Sequence, residues 1–593
     1  MSDAGVEDAW NPGLSSSIPQ RLLPQVTVFR PDNACVSHAD ALEMASFAGM
    51  SAVDCACLRV ERLALHDVLV RVTADLSVPD GPTYEVLGLN LRAMVATLLD
   101  DHVLPSLGEV QQTFDAMRAQ AIETLGHELG VARGPVVTDA SRVSGKGRTW
   151  LSRWFGARTP NPADAGAART PVQVLAHLEE AAVGCEAPLR RACLQALQQI
   201  VGAVLGQQGR LPADQRLMIE MAANRVCMGH GSDVVAQAIA PLFERGVERE
   251  GYRRLPAQEK PVIMNVKGAS ASGKSTIRPQ QRALAERLGI PWVDFALISP
   301  DYWRKSLLDY ASLGEDDKYA AMLTGQELAM IDQKLDRYMA AKAGRGAMSH
   351  LLIDRFRFDS FTLDERRPDT SRLLTRFGDR IFLFFMITPP AETVTRAWKR
   401  GGTTGRYKAV DDLLYHNVEA YTGMPALFLS WVTACDKRVH FEFLDNDVPE
   451  GARPRTAAFG WNDRMTILDV DRMIAIDRYR RTNVDATCAE QVLPDAASTS
   501  ADDTRFLRTC AQRIARLELA DQASGRVYAV VEGGRLRWWD AAFTEALPAA
   551  SPIRIALEAL GHDARQAPAI ADPPEHLDVP AERRYTFGRW GGS

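Results

Sequence analysis

The sequence lacks a long apolar run and lacks a leader peptide of the common secretory kind. Its strongest apolar stretch, Ile381 to Thr388, is far too short to cross a bilayer, so no membrane span is expected. Its first residues, MSDAGVEDAWNPG, are acidic and contain no apolar core, which argues against a Sec-type signal peptide. Both absences predict a cytoplasmic protein, although secretion by machinery that reads other signals stays open.

The cysteines and charges also lack the patterns of several protein classes. None of the nine cysteines belongs to a C-x-x-C pair, and the closest two, Cys55 and Cys57, lie in an apolar stretch. Such an unpatterned set predicts reduced, buried thiols and no zinc site. The formal net charge of −6 argues against a generally basic nucleic-acid binder. A GTPase would carry an N-K-x-D motif to read its base, and the sequence has none.

The chain of 593 residues is too long for one ordinary core, so several domains are expected. Helical periodicity dominates before residue 255, interrupted by a stretch rich in Gly, Pro, Ser and Arg. We predict four segments: a flexible N-terminus at 1–30, a mostly α region at 31–255 with a linker at about 133–170, an α/β domain at 256–487, and a small α+β C-terminal extension at 488–593. In that extension, a helix over Phe506–Ala520 precedes a hairpin formed by Val527–Val531 and Leu536–Trp539.

The segment 256–487 alternates short apolar runs with helical or polar stretches. This alternation predicts a parallel sheet flanked by helices, and such sheets bind their ligands beyond the carboxyl ends of the strands. The predicted strands are Val262–Val266, Trp292–Ser299, His350–Asp354, Ile381–Thr388 and Val439–Asp445.

A phosphate-binding motif directly follows the first of these strands. The motif matches G-x-x-x-x-G-K-[ST] and consists of Gly268, Ala269, Ser270, Ala271, Ser272, Gly273, Lys274, Ser275 and Thr276. Its glycines permit a tight turn in which backbone N–H groups converge on phosphate oxygens. Lys274 adds a positive charge, and the Ser275 hydroxyl is placed to bind Mg²⁺ on ATP or GTP. Pro279, five residues after the lysine, predicts a kink in the helix that follows.

Charged side chains follow the later strands. Asp301 can accept a proton from a substrate hydroxyl that faces the γ-phosphate, and it can equally cap a helix. Asp354 ends the third strand, where an acidic residue holds Mg²⁺ or positions the substrate, or merely ends the strand in a turn. After the fourth strand, an arginine-rich helix, a glycine break at Gly401 and a further arginine, Arg406, predict a mobile lid over the nucleotide. A solvated helix face is the alternative for this cluster.

Together these residues resemble the zeta-toxin family of P-loop kinases, relatives of UDP-N-acetylglucosamine kinase and, more distantly, of phage polynucleotide kinase. The resemblance covers residues 258–450. It depends on the phosphate-binding loop and on three further segments: Asp301-Tyr302-Trp303-Arg304, Arg400-Gly401-Gly402-Thr403-Thr404-Gly405-Arg406, and Val439–Asp445 followed by Asn446.

The resemblance implies a P-loop kinase core that transfers the γ-phosphate of Mg-ATP to a hydroxyl of a small nucleotide-type acceptor, such as a UDP-N-acetylamino sugar. It implies that Lys274 and Ser275 bind phosphate and magnesium, that Asp301 is the general base, and that Arg400 and Arg406 contact the phosphates. The family often has glutamate where this chain has Asp354, so the role of that carboxylate stays open. An antitoxin or regulatory protein is an implied partner.

Two other functions stay open from the sequence. One is a polynucleotide 5′-hydroxyl kinase, against which the acidic net charge and the lack of a basic, aromatic stripe both count. The other is a nucleotide-regulated switch protein that has no phosphoryl acceptor.

Overall fold

The computed structural model describes residues 8–81, 84–134, 169–354, 374–434, 436–493, 501–548, 550–561, 574 and 576–591. Contacts within the chain separate two compact units. The helical unit contains residues Gln20–Val68 and Ala96–Glu250, and the sheet unit contains Met1–Pro19, Leu69–Val95 and Gly251–Ser593.

The helical unit consists almost entirely of helices, in the region whose apolar periodicity predicts them. Helices α4 to α8 pack against one another, and helix α1 packs against α6. The helices are α1 (His38–Ala48), α4 (Leu107–Arg133), α5 (Pro171–Val183), α6 (Pro188–Gln208), α7 (Arg216–Val226) and α8 (Ser232–Glu250), with π-helical turns at Thr97–Val103 and Cys227–Gly231. The residues of α2 (Val60–Asp75) and α3 (Tyr84–Ala96) are divided between the two units.

Local signals set the ends of these helices. Ser37 caps α1 by accepting the N–H of Asp40, and Thr170 forms a reciprocal capping box with Gln173 at the start of α5. The segment predicted to be flexible, 1–30, is partly packed, because Val28 is fully buried. The predicted linker falls mostly on residues 135–168, which lie outside the described residues.

The sheet unit is built on one ten-stranded sheet. Its strand order is β10-β9-β8-β7-β6-β5-β4-β1-β3-β2. The strands are β1 (Val262–Lys267), β2 (Phe295–Ile298), β3 (His350–Asp354), β4 (Arg380–Ile387), β5 (Arg438–Asp445), β6 (Arg455–Trp461), β7 (Arg464–Ile467), β8 (Arg516–Ala520), β9 (Val527–Glu532) and β10 (Arg535–Trp539).

The sheet has two halves of different character. Strands β2, β3, β1, β4 and β5 are all parallel, and we call them the parallel half. Strands β6 to β10 form the mixed half, in which only the β7–β8 pair is parallel. Every residue of β1 is buried, so both faces of the sheet are covered at its centre.

This sheet corrects three predictions from the sequence. It is mixed rather than parallel, because β6 and β7 follow β5 as an antiparallel meander that the sequence analysis did not predict. The helix predicted over Phe506–Ala520 ends at Arg513, and its last residues form β8 instead. Strands β8 to β10 therefore extend the same sheet. The predicted strand Trp292–Ser299 begins only at Phe295, after a 3₁₀ turn.

Helices join and cover the strands. Within the described ranges, no helix is both long enough and apolar enough to cross a bilayer. The helices of this unit are α9 (Arg278–Arg287), α10 (Arg304–Leu307), α11 (Ala320–Leu323), α12 (Gly325–Gly344), α13 (Pro390–Thr404), α14 (Val410–Val432), α15 (Val470–Tyr479), α16 (Arg505–Arg513), α17 (Ala541–Glu545), α18 (Pro552–Ala559) and α19 (Val579–Arg583).

A segment near residue 587 covers one face of β4 and β5. The ring of Phe587 stacks on Phe384 of β4 with a centroid separation of 3.5 Å. The fully buried carboxylate of Glu442 in β5 accepts the N–H groups of Phe587 at 2.6 Å and Gly588 at 2.9 Å, and the hydroxyl of Thr456 at 2.7 Å. Burial raises the pKa of Glu442 to about 7, although these donors act in the opposite direction.

Candidate active site

The loop Gly268–Thr276 lies directly after the carboxyl end of β1 and requires glycine at two places. Ala271 has φ of 60° and Gly273 has φ of 90°, so the chain turns tightly. A Cβ on Gly268 would lie 2.5 Å from the Ser272 hydroxyl, and one on Gly273 would lie 2.3 Å from the Asn446 amide nitrogen. A larger residue at either position would have to displace these neighbours, and at Gly273 it would also strain the backbone.

Side chains from two other strand ends hold this loop. The carbonyl of Ser272 accepts hydrogen bonds from the Asn446 amide at 2.8 Å and from the Thr388 hydroxyl at 3.0 Å. These two residues directly follow β5 and β4. The Lys274 ammonium donates to the carbonyls of Gly268 at 3.0 Å and Ala269 at 2.8 Å. The loop is thereby fixed to the edge of the parallel half where those strands end.

The chain after the loop accommodates the proline that the sequence analysis identified. Lys274–Ile277 forms a 3₁₀ turn, and a new α-helix, α9, begins at Arg278. Pro279 therefore lies in the first turn of α9, where its missing N–H would have no partner in the helix. The predicted kink inside a helix is therefore replaced by a change from 3₁₀ to α geometry before the proline.

Asp301 lies beyond β2 between two guanidinium groups. Arg304 donates to one carboxylate oxygen at 3.0 Å, and Arg406 forms an ion pair with the other. Burial acts to raise the pKa of Asp301, but the charges of Arg406 and Arg304 hold it well below its ordinary value. The side chain is 41% exposed, so a ligand can still reach it.

Asp354 and Lys274, near Asp301, each influence the pKa of the other. Burial lowers the pKa of the Lys274 ammonium, and the charges of Asp354 and Asp301 oppose that shift. Burial also raises the pKa of Asp354, against the charges of Lys274 and Arg278. These mutual effects indicate a compact group of charges of both signs.

The arginine helix differs from its predicted form. Helix α13 runs through Gly401 and Gly402 without the predicted break and ends at Gly405, which has φ of 71°. Gly401 is required, because a Cβ there would lie 2.3 Å from the ring of Tyr407. The Nε of Arg400 lies 3.4 Å from the carbonyl of Arg406, which places both arginines together at the end of the helix.

One cavity of about 1460 Å³ brings the predicted residues together. It is lined by Ser270 to Thr276 of the loop, including Lys274 and Ser275, and by Asp301, Asp354, Arg400 and Arg406. Gly268 and Ala269 do not line it; Ala269 is buried, and both supply carbonyls to Lys274. Residues far apart in sequence thus face one volume at the carboxyl ends of the parallel strands.

The oxygen donors in this cavity fit a magnesium ion that arrives with phosphates. Ser275 offers a hydroxyl and Asp354 a carboxylate, and Mg²⁺ prefers such oxygen ligands while keeping most of its waters. In the part of the chain that the structure describes, no group of three His, Cys, Asp or Glu side chains could hold a metal.

Several residues in or near this site have no role that the sequence predicts. Thr388 and Asn446 hold the loop, and Arg304 holds Asp301. Lys408 forms an ion pair with Asp412 at 3.2 Å, and burial lowers its pKa to about 8. Thr388 and Asn446 could have been found, because polar residues that directly follow parallel strands collect at one sheet edge. Lys408 carries no comparable signal.

Comparisons with protein-family models, with curated proteins and with solved structures gave no match to this chain. Conclusions about function therefore depend on the geometry of the cavity and on the residues that line it.

Proposed function

We propose that the sheet unit is a magnesium-dependent phosphotransferase that moves the γ-phosphoryl group of ATP or GTP to a hydroxyl of a small nucleotide-type acceptor. A UDP-N-acetylamino sugar is the acceptor we would test first. One observation carries the proposal: Lys274, Ser275, Asp301, Arg400 and Arg406 line a single cavity at the carboxyl ends of the parallel strands.

The nucleotide phosphates would bind in the Gly268–Thr276 loop. The tight turn at Ala271 and Gly273 supports this role, because such turns direct successive backbone N–H groups toward one anion. Lys274 now donates to carbonyls of the loop itself, so its ammonium already lies beside the proposed phosphate position. An anion there would favour the charged form of this partly buried lysine.

Asp301 would accept the proton of the attacking hydroxyl. The acceptor oxygen forms a bond to the γ-phosphorus, the bond from that phosphorus to the bridging oxygen breaks, and the nucleoside diphosphate leaves. The ion pair with Arg406 makes Asp301 a weak base at rest. If Arg406 moves to a phosphate oxygen, the pKa of Asp301 rises and the carboxylate becomes a better proton acceptor at the time of transfer.

Arg400, Arg406 and Lys274 would neutralise charge on the transferred group. Preorganised cations of this kind supply most of the catalysis in phosphoryl transfer. Magnesium, held by Ser275 and by the phosphates, supplies further charge neutralisation when it is bound. Asp354 would orient its water ligands or the acceptor.

The test is to incubate purified protein with γ-labelled ATP or GTP, Mg²⁺ and separate acceptors. The panel contains UDP-N-acetylamino sugars, NAD, nucleosides and 5′-hydroxyl oligonucleotides. We expect label on a small nucleotide-type acceptor. Label on the oligonucleotide alone would indicate a polynucleotide kinase, and tight ATP binding with no transfer to any acceptor would favour a switch protein.

Asp301→Asn is the decisive variant in this assay. It should keep ATP binding and lose about a hundredfold or more in transfer rate, as expected for a general base. Asp411→Asn is the matched control, because Asp411 is an exposed carboxylate in the first turn of α14 and does not line the cavity. A rate for Asp301→Asn within about threefold of the control would exclude the proposed role.

A further inference from the structure

Two cysteines face each other across a short strand pairing in the helical unit. Ala34 and Leu58 form an isolated antiparallel bridge. Beside it, the Cys35 N–H donates to the Cys57 carbonyl at 2.7 Å, and the Arg59 N–H donates to the Asn33 carbonyl at 2.8 Å. This pattern places Cys35 directly opposite Cys57, with both side chains on one face of the pairing.

Opposed residues of this kind have the right spacing for a covalent bond. Their Cα atoms are separated by about 4.5–5.5 Å in antiparallel pairs, and disulfides span Cα separations of about 4.4–6.8 Å. The two thiols are also close enough for each to change the pKa of the other. Little backbone movement would therefore be needed to join them.

A third thiol lies on the other side of Cys57. The pKa of Cys57 is also raised by its interaction with Cys227, which begins the π-helical turn between α7 and α8. The sulfur of Met228 in the same turn accepts the N–H of Leu58 at 3.2 Å, which fixes the turn against the strand pairing. Cys57 is therefore held between two sulfur atoms.

Solvent reaches one end of this cluster only. Cys35 is exposed, contrary to the prediction of uniformly buried thiols, whereas Cys57 and Cys227 are buried. The hydrogen bond from Cys57 lowers the pKa of the Cys35 thiol, and Arg59 and Arg118 lower it further, while burial and Glu61 oppose them. The exposed thiol is thus the one whose reactive thiolate form is favoured.

We propose that Cys35 and Cys57 form an oxidation site for hydroperoxides, in which Cys35 reacts first and Cys57 closes a disulfide. The Cys35 sulfur attacks one peroxide oxygen, the O–O bond breaks, and an alcohol or water leaves while Cys35 becomes a sulfenic acid. The Cys57 sulfur then attacks the Cys35 sulfur, the S–O bond breaks, and the Cys57 proton leaves with the hydroxide as water. Two thiols supply the two electrons that reduce one peroxide.

The test uses the full chain under native conditions. The protein is treated with a small excess of hydrogen peroxide, remaining thiols are blocked with iodoacetamide, and unreduced peptides are mapped by mass spectrometry. Cleavage after Glu43 separates Cys35 from the peptide that holds both Cys55 and Cys57. We expect a Cys35–Cys57 crosslink that dithiothreitol reverses, formed at least about tenfold faster than oxidation of the partly exposed Cys488.

Two matched variants identify the partner sulfur. Cys57→Ala should leave Cys35 as a sulfenic acid that dimedone traps, whereas Cys55→Ala should keep the crosslink. The two variants are matched, because each removes one buried thiol and the two positions are only two residues apart. Circular dichroism checks that each variant folds. A crosslink to Cys55 or Cys227 in the wild-type chain, or equal oxidation rates at Cys35 and Cys488, would overturn the proposal without depending on any variant.

Discussion

The two halves of the ten-stranded sheet use charged side chains differently. In the parallel half, charged and polar residues collect past the carboxyl ends of the strands, where Lys274, Asp301 and Asp354 line one cavity. In the mixed half, charged residues lie on the strands themselves and pair with close neighbours, as Glu518 does with Arg464 and Arg516. Strand direction explains the difference, since only parallel strands bring their carboxyl ends to one edge.

This contrast separates catalysis from stability. Substitutions at the edge of the parallel half should change transfer rates with little effect on folding. Substitutions in the mixed half should change folding with little effect on transfer.

The largest effect is expected for Lys274→Ala. Loss of the partly buried ammonium beside the loop should lower phosphoryl transfer by at least about 10²–10³-fold. The measurement is kcat/KM with labelled ATP. Arg535→Ala in the mixed half is the control, because Arg535 is an exposed cation on β10. Similar transfer rates for Lys274→Ala and Arg535→Ala would contradict the proposed difference between the two halves of the sheet.

Arg406→Ala should have the next largest effect, a loss of about 10²-fold in transfer. The variant also removes a charge that lowers the pKa of Asp301, so that pKa should rise. The acidic limb of the pH profile of kcat/KM should therefore move to higher pH. An unchanged acidic limb in Arg406→Ala would contradict the idea that Arg406 sets the pKa of the catalytic carboxylate.

Glu518→Gln should lower stability and spare transfer. Glu518 is only 3% exposed, with Arg464 at 2.9 Å and Arg516 at 2.8 Å. Removing its charge should cost about 1–3 kcal/mol, because both arginines are partly solvated. The midpoint of thermal unfolding reports the loss.

Glu532→Gln is the matched control for Glu518→Gln, since Glu532 pairs with the same Arg516 but is 38% exposed. It should cost less than about 1 kcal/mol. An equal loss in both variants would contradict a special role for the buried carboxylate.

The smallest effect concerns the pH dependence of folding through Glu442. Its pKa in the folded chain is raised to about 7 from an ordinary value near 4.5, so its protonated form stabilises the fold. That contribution is complete below pH 4.5 and is lost as the pH rises through about 7, by at most about 1.4 kcal/mol per pH unit. Thermal unfolding of Glu442→Gln between pH 5.5 and 8 should show a shallower slope than the wild type.

The sequence predicts the parallel half well and the mixed half poorly. Strand β4 is a near-continuous apolar run, and β1 and β3 are mostly apolar, which is what burial on both faces requires. Strand β5 alternates apolar residues with His440 and Glu442, a pattern that also predicts a strand. Strand β7 has only four residues, β6 consists largely of small residues, and β8 begins only three residues after the last residue of helix α16. Local pattern does not show that these segments pair with strands elsewhere in the chain.

The candidate site shows the same limit. Lys274, Asp301 and Arg406 could be predicted because each belongs to a recognisable motif after a strand. The sequence also places Thr388 and Asn446 at this sheet edge, but it does not predict their hydrogen bonds to the Ser272 carbonyl. Those bonds span 116 and 174 residues and depend on which strands are neighbours. The ion pair between Asp301 and Arg406 joins residues 105 positions apart, so it cannot be predicted from the sequence for the same reason.

The hydrogen bonds of Glu442 also determine when, during translation, the face of β4 and β5 can be covered. The N–H groups of Phe587 and Gly588 are added 145 and 146 residues after this carboxylate. At about 5–20 residues per second, synthesis of that stretch takes roughly 7–30 seconds. During that time β5 can already leave the ribosome, but the N–H groups that will bind the Glu442 carboxylate have not yet been synthesised. The face of β4 and β5 under Phe587 thus stays open to water, or to a chaperone, until translation reaches the segment that covers it.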